Sequence, residues 1–223
     1  MTLADRLAAV DAEIAEAARA AGRDPAELTR IVVTKFHPAS LVLELVSLGV
    51  RDVGENRHQE AVAKVADVDT PDLNWHFVGQ LQSNKARAVR TYASAVHSVD
   101  RSSLVDALGS DDGREVGVFL EIGLSLEPGR GGIPPADAAT LAERVLATPG
   151  VRLLGVMGVA PLGDEPRPAF ERLRAVSDDI RKLAPAASAI SAGMSGDFRE
   201  AIFEGATHLR IGTAITGKRP TPG

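Results

Sequence analysis

The 223-residue chain contains no cysteine, which excludes disulfide bracing and leaves no thiolate to act as nucleophile or metal ligand. Aromatic residues make up 4% of the chain, with one tryptophan and one tyrosine, so any step that needs a phenol rests on Tyr92 alone. No apolar run approaches the roughly 20 residues that a membrane-crossing helix requires. Basic residues are outnumbered, 25 Lys and Arg against 30 Asp and Glu. The resulting net charge of −5 argues against a nucleic-acid or anionic-membrane partner, which such a surface repels on average. The first 22 residues also lack the apolar stretch of a secretion signal, because Asp5, Arg6, Asp11, Glu13, Glu16 and Arg19 interrupt it. The expectation is a cytoplasmic protein, and a monomer, since nothing calls for a partner subunit to complete a site.

What is present is enough apolar sequence, 44%, for one sizeable core. Residues 1–22 read as a helix. Leu3, Leu7, Val10, Ile14, Ala17 and Ala21 share a face, Thr2 and Asp5 fit a capping box, and Gly22 stands where a helix stops. Short β-branched runs then alternate with longer amphipathic stretches. Strands are predicted at Ile31–Lys35, Asp52–Gly54, Trp75–Val78, Ala95–Val99, Val116–Ile122, Leu153–Met157, Ala189–Ser191 and His208–Ile211. Helices are predicted at Ala39–Leu48 and at Pro168–Leu183, where Phe170, Leu173, Val176, Ile180 and Leu183 recur at helical spacing. Eight strand-helix units point to an α/β protein, a single-domain (β/α)8 TIM barrel over residues 1–223, with 218–223 as a short tail. A doubly wound open sheet is the competing architecture. The glycine-rich stretch from Pro128 to Gly132, after the fifth strand, reads as a mobile loop.

Barrel proteins place their sites where strands end. Lys35 stands at the end of the first predicted strand, either a snorkelling surface lysine or a desolvated amine with a lowered pKa, as imine chemistry needs. Gly193, Met194, Ser195, Gly196 and Asp197 follow the seventh strand, and Gly212, Thr213 and Ala214 follow the eighth. Loops at those two places commonly bind phosphate through backbone N–H groups, and Ser195 and Thr213 add hydroxyl donors. An amine facing a phosphate cradle suits a phosphorylated aldehyde, with pyridoxal 5'-phosphate (PLP) the leading candidate. Arg210 would then meet the ring nitrogen and leave it unprotonated, because a guanidinium does not readily give up its proton.

These residues resemble the pyridoxal-phosphate homeostasis protein family, the YggS and PROSC group, which is related to the N-terminal barrel domain of alanine racemase. The resemblance runs from about Thr29 to Gly217. It is carried by Val33-Thr34-Lys35, Gly54-Glu55-Asn56, Trp75-His76-Phe77-Val78-Gly79, Leu81-Gln82-Ser83-Asn84-Lys85, Gly155-Val156-Met157, Gly193-Met194-Ser195 and Arg210-Ile211-Gly212-Thr213-Ala214-Ile215. It implies PLP held as an internal aldimine on Lys35, phosphate contacts from Ser195, Gly212 and Thr213, Arg210 at the pyridine nitrogen, and Asn56, His76 and Met157 around the ring. It further implies a role in vitamin B6 and amino-acid homeostasis without efficient catalysis, with PLP-dependent apo-enzymes as recipients. The sequence departs from the family at Phe36 and His37, at Gln80 in place of a common proline, at Arg130-Gly131-Gly132, and at Thr216.

The rival readings are a PLP-dependent amino-acid racemase and a metal-dependent barrel hydrolase. Two-base racemisation needs a second acid or base, which in alanine racemase is a tyrosine from another domain, whereas Tyr92 falls here on a predicted helix. The histidines at 37, 58, 76, 97 and 208 show no close ligand spacing, so no metal site is expected. Leu81 to Lys85 with Arg87 and Arg90 reads as a solvated basic helix face.

Overall fold

The computed structural model describes residues 1–125 and 131–218. Pro128 to Arg130 of the expected mobile loop, and residues 219–223 of the expected tail, lie outside the described residues. The strands are β1 (Thr29–Val33), β2 (Asp52–Glu55), β3 (Asn74–Phe77), β4 (Ala93–Val99), β5 (Val116–Glu121), β6 (Val151–Met157), β7 (Ala189–Ser191) and β8 (His208–Ile211). The helices are α1 (Leu3–Ala20), α2 (Ala39–Ser47), α3 (His58–Asp67), α4 (Ala86–Arg90), α5 (Ser102–Leu108), α6 (Ala138–Leu146), α7 (Arg167–Leu183), α8 (Phe198–Phe203) and α9 (Thr213–Thr216). Each strand pairs in parallel with the next, and β8 closes on β1 with Ile31 beside Arg210. Closure decides for the barrel over the open sheet.

The main apolar core lies between the barrel and its helices. On α7, Phe170, Leu173, Val176 and Ile180 are buried at helical spacing, while Leu183, at the helix end, is exposed. On α1 the Thr2 hydroxyl and the Asp5 carboxylate each take the other residue's backbone N–H, forming the expected capping box. The buried stripe Leu3, Leu7, Val10, Ile14 packs α1 against α8 and α9, so α1 covers flank that the four-residue α9 is too short to cover. No helix among the described residues is long and apolar enough to cross a membrane.

Inside the barrel the filling is different. A small apolar cluster of Ala95, Phe119 and Met157 is separate from the main core, and buried polar groups, among them His76, His97, Ser191 and Arg210, share the interior. Gly155 on β6 lets the backbones crowd there, since a Cβ at that position would lie 1.8 Å from the Ala189 carbonyl oxygen.

Two expectations need correction. Arg90 is no solvated helix residue: it is buried, and its guanidinium donates to the carbonyls of Leu108 (3.2 Å), Gly150 (2.7 Å) and Arg114 and to Asp112 (2.6 Å). It ties the ends of α5, β5 and β6 together, a role that charge patterning does not reveal. Tyr92 sits in the turn before β4 instead of on a helix, packs against the outer core, and places its hydroxyl 3.4 Å from His58 Nδ1.

Candidate cofactor site

All eight strands run the same way, so their carboxyl ends form one rim. Lys35 stands on it, two residues beyond β1. The strand was expected to reach Lys35, but the chain turns earlier: Phe36 takes φ of 68°, a left-handed conformation strained for a bulky residue, and His37 N–H closes back on Thr34 O at 3.1 Å. That turn lifts the Lys35 side chain into solvent, so the expected desolvated amine is exposed, with Nζ 5.9 Å from the centre of the Phe36 ring.

The backbone beneath Lys35 is held firmly. Buried Lys64 on α3 donates from Nζ to Thr34 O (2.7 Å) and to Glu55 Oε1 (2.6 Å), and Thr34 Oγ1 donates to the same carboxylate oxygen at 2.5 Å. Burial pushes the Glu55 carboxyl up, against the stabilising bonds from Lys64 and Thr34. Glu60, also on α3, accepts the Phe36 N–H at 3.0 Å and steadies the strained turn. The Gly54-Glu55-Asn56 and Lys64 segment thus fixes where Lys35 leaves the barrel.

Two strands round the ring from β1, the loop after β7 depends on Gly193, whose φ is 89° and where a Cβ would lie 2.9 Å from Phe198 Cα and from Ala201 Cβ. Asp197 precedes α8 and accepts the Met194 N–H at 2.6 Å, and burial pushes its carboxyl up. Ser195 is half-buried and Thr213 exposed. A Cβ on Gly196 would meet nothing within 4 Å, and one on Gly212 would meet only Val33, at 3.8 Å, so the two loops leave open space between amide-bearing turns.

Arg210 on β8 is buried, donating from Nη1 to Ser191 Oγ (2.6 Å) and from Nη2 to Gly158 O (3.0 Å). Burial pushes its guanidinium down to about 10, which leaves it a cation at neutral pH. Glu121 closes β5, accepts from Gln80 Nε2 at 2.7 Å and is pushed up by burial. Gln80, one of the departures, is therefore a partner for a half-buried carboxyl at the rim. Asn56 follows β2, and its Oδ1 is buried and has no hydrogen-bond partner among the described residues. Met157, at the end of β6, is buried.

The structure brings Lys35, Asn56, Met157, Ser195, Arg210, Gly212 and Thr213 to the carboxyl end of the barrel. His76 turns the other way: its Nε2 lies 3.0 Å from Asp52, the first residue of β2, and its Nδ1 lies 2.9 Å from His97 Nε2. Sequence reasoning misses Ser191, Asp52 and Glu121, and it considers His97 only as a metal ligand. Alternation along strands was the available signal, because Ala95 and His97, or Phe119 and Glu121, are two residues apart and share a face. No group of three or more His, Asp or Glu side chains placed to hold a metal ion occurs among the described residues.

The donor set suits an aromatic phosphate ester carrying an aldehyde: an amine at the rim, open glycine turns after the neighbouring strands β8 and β7, a fixed cation on β8, and a buried acceptor, Asn56 Oδ1, without a partner among the described residues. Fold and site together define a lysine-bearing parallel barrel with glycine turns after its last two strands. The chain belongs to the family described as alanine racemase, N-terminal domain, which matches residues 6–220, and within it to the pyridoxal phosphate homeostasis proteins. It is 42% identical to the Pyridoxal phosphate homeostasis protein of Pseudomonas aeruginosa, over 98% of this chain and 96% of that one. The structure of PipY from Synechococcus elongatus with PLP bound has a TM-score of 0.82 and 35% identity, covering 97% of this chain and all of that one. Alanine racemase from Corynebacterium glutamicum, at 16% identity and a TM-score of 0.74, shares the fold, with 63% of its longer chain covered.

Proposed function

We propose that this protein binds PLP at the barrel rim and serves vitamin B6 and amino-acid homeostasis without efficient catalysis. Lys35 attaches the aldehyde, Ser195, Gly212 and Thr213 receive the phosphate, Arg210 faces the ring nitrogen, and Asn56 and Met157 complete the surroundings of the ring, whereas His76, turned toward Asp52, takes no part in it. When bound, PLP supplies an electrophilic aldehyde and a conjugated ring. The observation that carries the reading is the buried Arg210 cation on β8, the strand beside Lys35's β1, with open glycine turns after β7 and β8. PLP bound to the related PipY supports it.

The case against efficient racemisation rests on the same residues. Arg210, a guanidinium, leaves the ring nitrogen unprotonated and so weakens the ring as an electron sink. Tyr92 packs in the outer core, and burial raises its phenol above the ordinary range. A carrier reading follows, for a cytoplasmic monomer that hands PLP to apo-enzymes. Borohydride reduction of the PLP-loaded protein, followed by peptide mapping, should place the label on Lys35. Labelling mainly on Lys85 or Lys218 would sink the assignment.

A further inference from the structure

Five side chains inside the barrel form an unbroken line of hydrogen-bonding atoms from the amino end of β2 to Arg210. Asp52 Oδ1 lies 3.0 Å from His76 Nε2, and His76 Nδ1 lies 2.9 Å from His97 Nε2. His97 Nδ1 lies 2.8 Å from Ser191 Oγ, which Arg210 Nη1 approaches at 2.6 Å. His76, His97, Ser191 and Arg210 are all buried. The residues come from β2, β3, β4, β7 and β8, so the line crosses the barrel interior.

The two ends set its direction. A guanidinium only donates, so Ser191 Oγ accepts from Arg210 and keeps its single proton for His97 Nδ1. His97 then carries its own proton on Nε2 and donates it to His76 Nδ1. His76 in turn carries its proton on Nε2, facing the Asp52 carboxylate. This arrangement pairs every atom of the line with both imidazoles neutral. The reverse direction aims two donors at Ser191, strands its hydroxyl proton in a buried site, and needs an added proton on His76 to satisfy Asp52.

The surroundings agree with a neutral His97. His97 stacks on Phe119 of β5 at 4.3 Å and faces His76 of β3 and both His208 and Arg210 of β8; burial, with these neighbours, holds its imidazole well below the ordinary range. His76 faces Asp52, His97 and His208. Asp52 stays below the ordinary carboxyl range: burial pushes it up, but bonds from His76 and Asn74 outweigh that.

We propose that Ser191, His97 and His76 are positioning residues for Arg210. Their one-way line, anchored at Asp52, locks the guanidinium plane, with Gly158 O holding Nη2, and leaves the N–H groups not bonded to Ser191 or Gly158 for a ligand at the rim. The consequence for bound PLP rests on the site reading above, whereas the proton arrangement does not.

The first test uses the ligand-free protein. Long-range 1H–15N NMR should find His76 and His97 both as neutral Nε2–H tautomers at pH 7, and an Nδ1–H tautomer or a charged ring at either position would overturn the proposal. The Arg210 guanidinium N–H signals should be resolved by slow rotation in the wild type, rotate at least tenfold faster in Ser191→Ala, and slow again in Ser191→Thr. Asp52→Ala, three links away, should mix the His76 tautomers and speed the same rotation. Unchanged rotation in Ser191→Ala and Asp52→Ala would refute the positioning role. On the PLP-loaded protein, the pH midpoint of the visible absorption band should move by more than half a unit in Ser191→Ala and return in Ser191→Thr. A wild type that takes up no PLP would instead remove the site reading, while the tautomer and rotation results still decide the line.

Discussion

Acid should weaken this protein through His208 in particular, and the size of the effect follows from its place in the barrel. The imidazole packs edge-on against Phe119 at 5.1 Å, and burial pushes it down from 6.5 to about 4. Between those values the unfolded chain carries a proton on this residue that the folded chain does not, so lowering the pH favours unfolding. At about 1.4 kcal/mol per unit, the loss is about 2 kcal/mol at pH 5 and about 3 kcal/mol at pH 4, relative to pH 7. The perturbation is His208→Gln, which removes the titrating group. Urea unfolding at pH 7, 6, 5 and 4 should show wild-type stability falling about 3 kcal/mol further than that of the variant over the whole range. NMR titration of the His208 ring should find its midpoint near 4. Parallel stability profiles, or a His208 midpoint near 6.5, would refute the reasoning.

Two further outcomes follow from the site. Lys64→Met leaves Glu55 buried with Thr34 as its remaining side-chain partner and should cost about 3 to 5 kcal/mol in chemical denaturation, whereas Lys64→Met with Glu55→Gln should recover most of it. Replacing both Ser195 and Thr213 by Ala should weaken PLP binding far more than pyridoxal binding, each hydrogen bond to a charged phosphate being worth about 1.5 to 3 kcal/mol. Equal losses for the two ligands in equilibrium titrations would remove both hydroxyls from the phosphate site.

The strand-helix rhythm was legible because parallel barrel strands are buried on both faces and read as short β-branched runs, such as Ile31 to Val33. The predicted strands missed edges where hydrogen bonding, not side-chain type, decides: Thr29 joins β1 by pairing with His208, and Lys35 falls outside it because Phe36 turns. Lys35, Ser195 and Thr213 were legible because they sit beside punctuation, a strand end or a glycine. The polar line behind Arg210 was not. Its members are scattered from residue 52 to residue 191, His97 and Ser191 each read alone as an ordinary core residue, and nothing in the sequence links His76 to either. Arg90 misled for a related reason, since its acceptors are mostly backbone carbonyls, which have no signature in side-chain type.

The docking of α1 bears on the order in which the barrel can fold. The helix has its partners in α8 and α9, and Arg6 Nε donates to Ile215 O at 2.6 Å across a wide separation in sequence. Until α8 and α9 are in place its apolar stripe has nothing to cover, and such distant contacts are slow to form. The turn that carries Thr213 opens α9, so the segment that α1 clamps is also the one that follows the closing strand β8. Closure of the ring and docking of α1 are therefore coupled steps of folding.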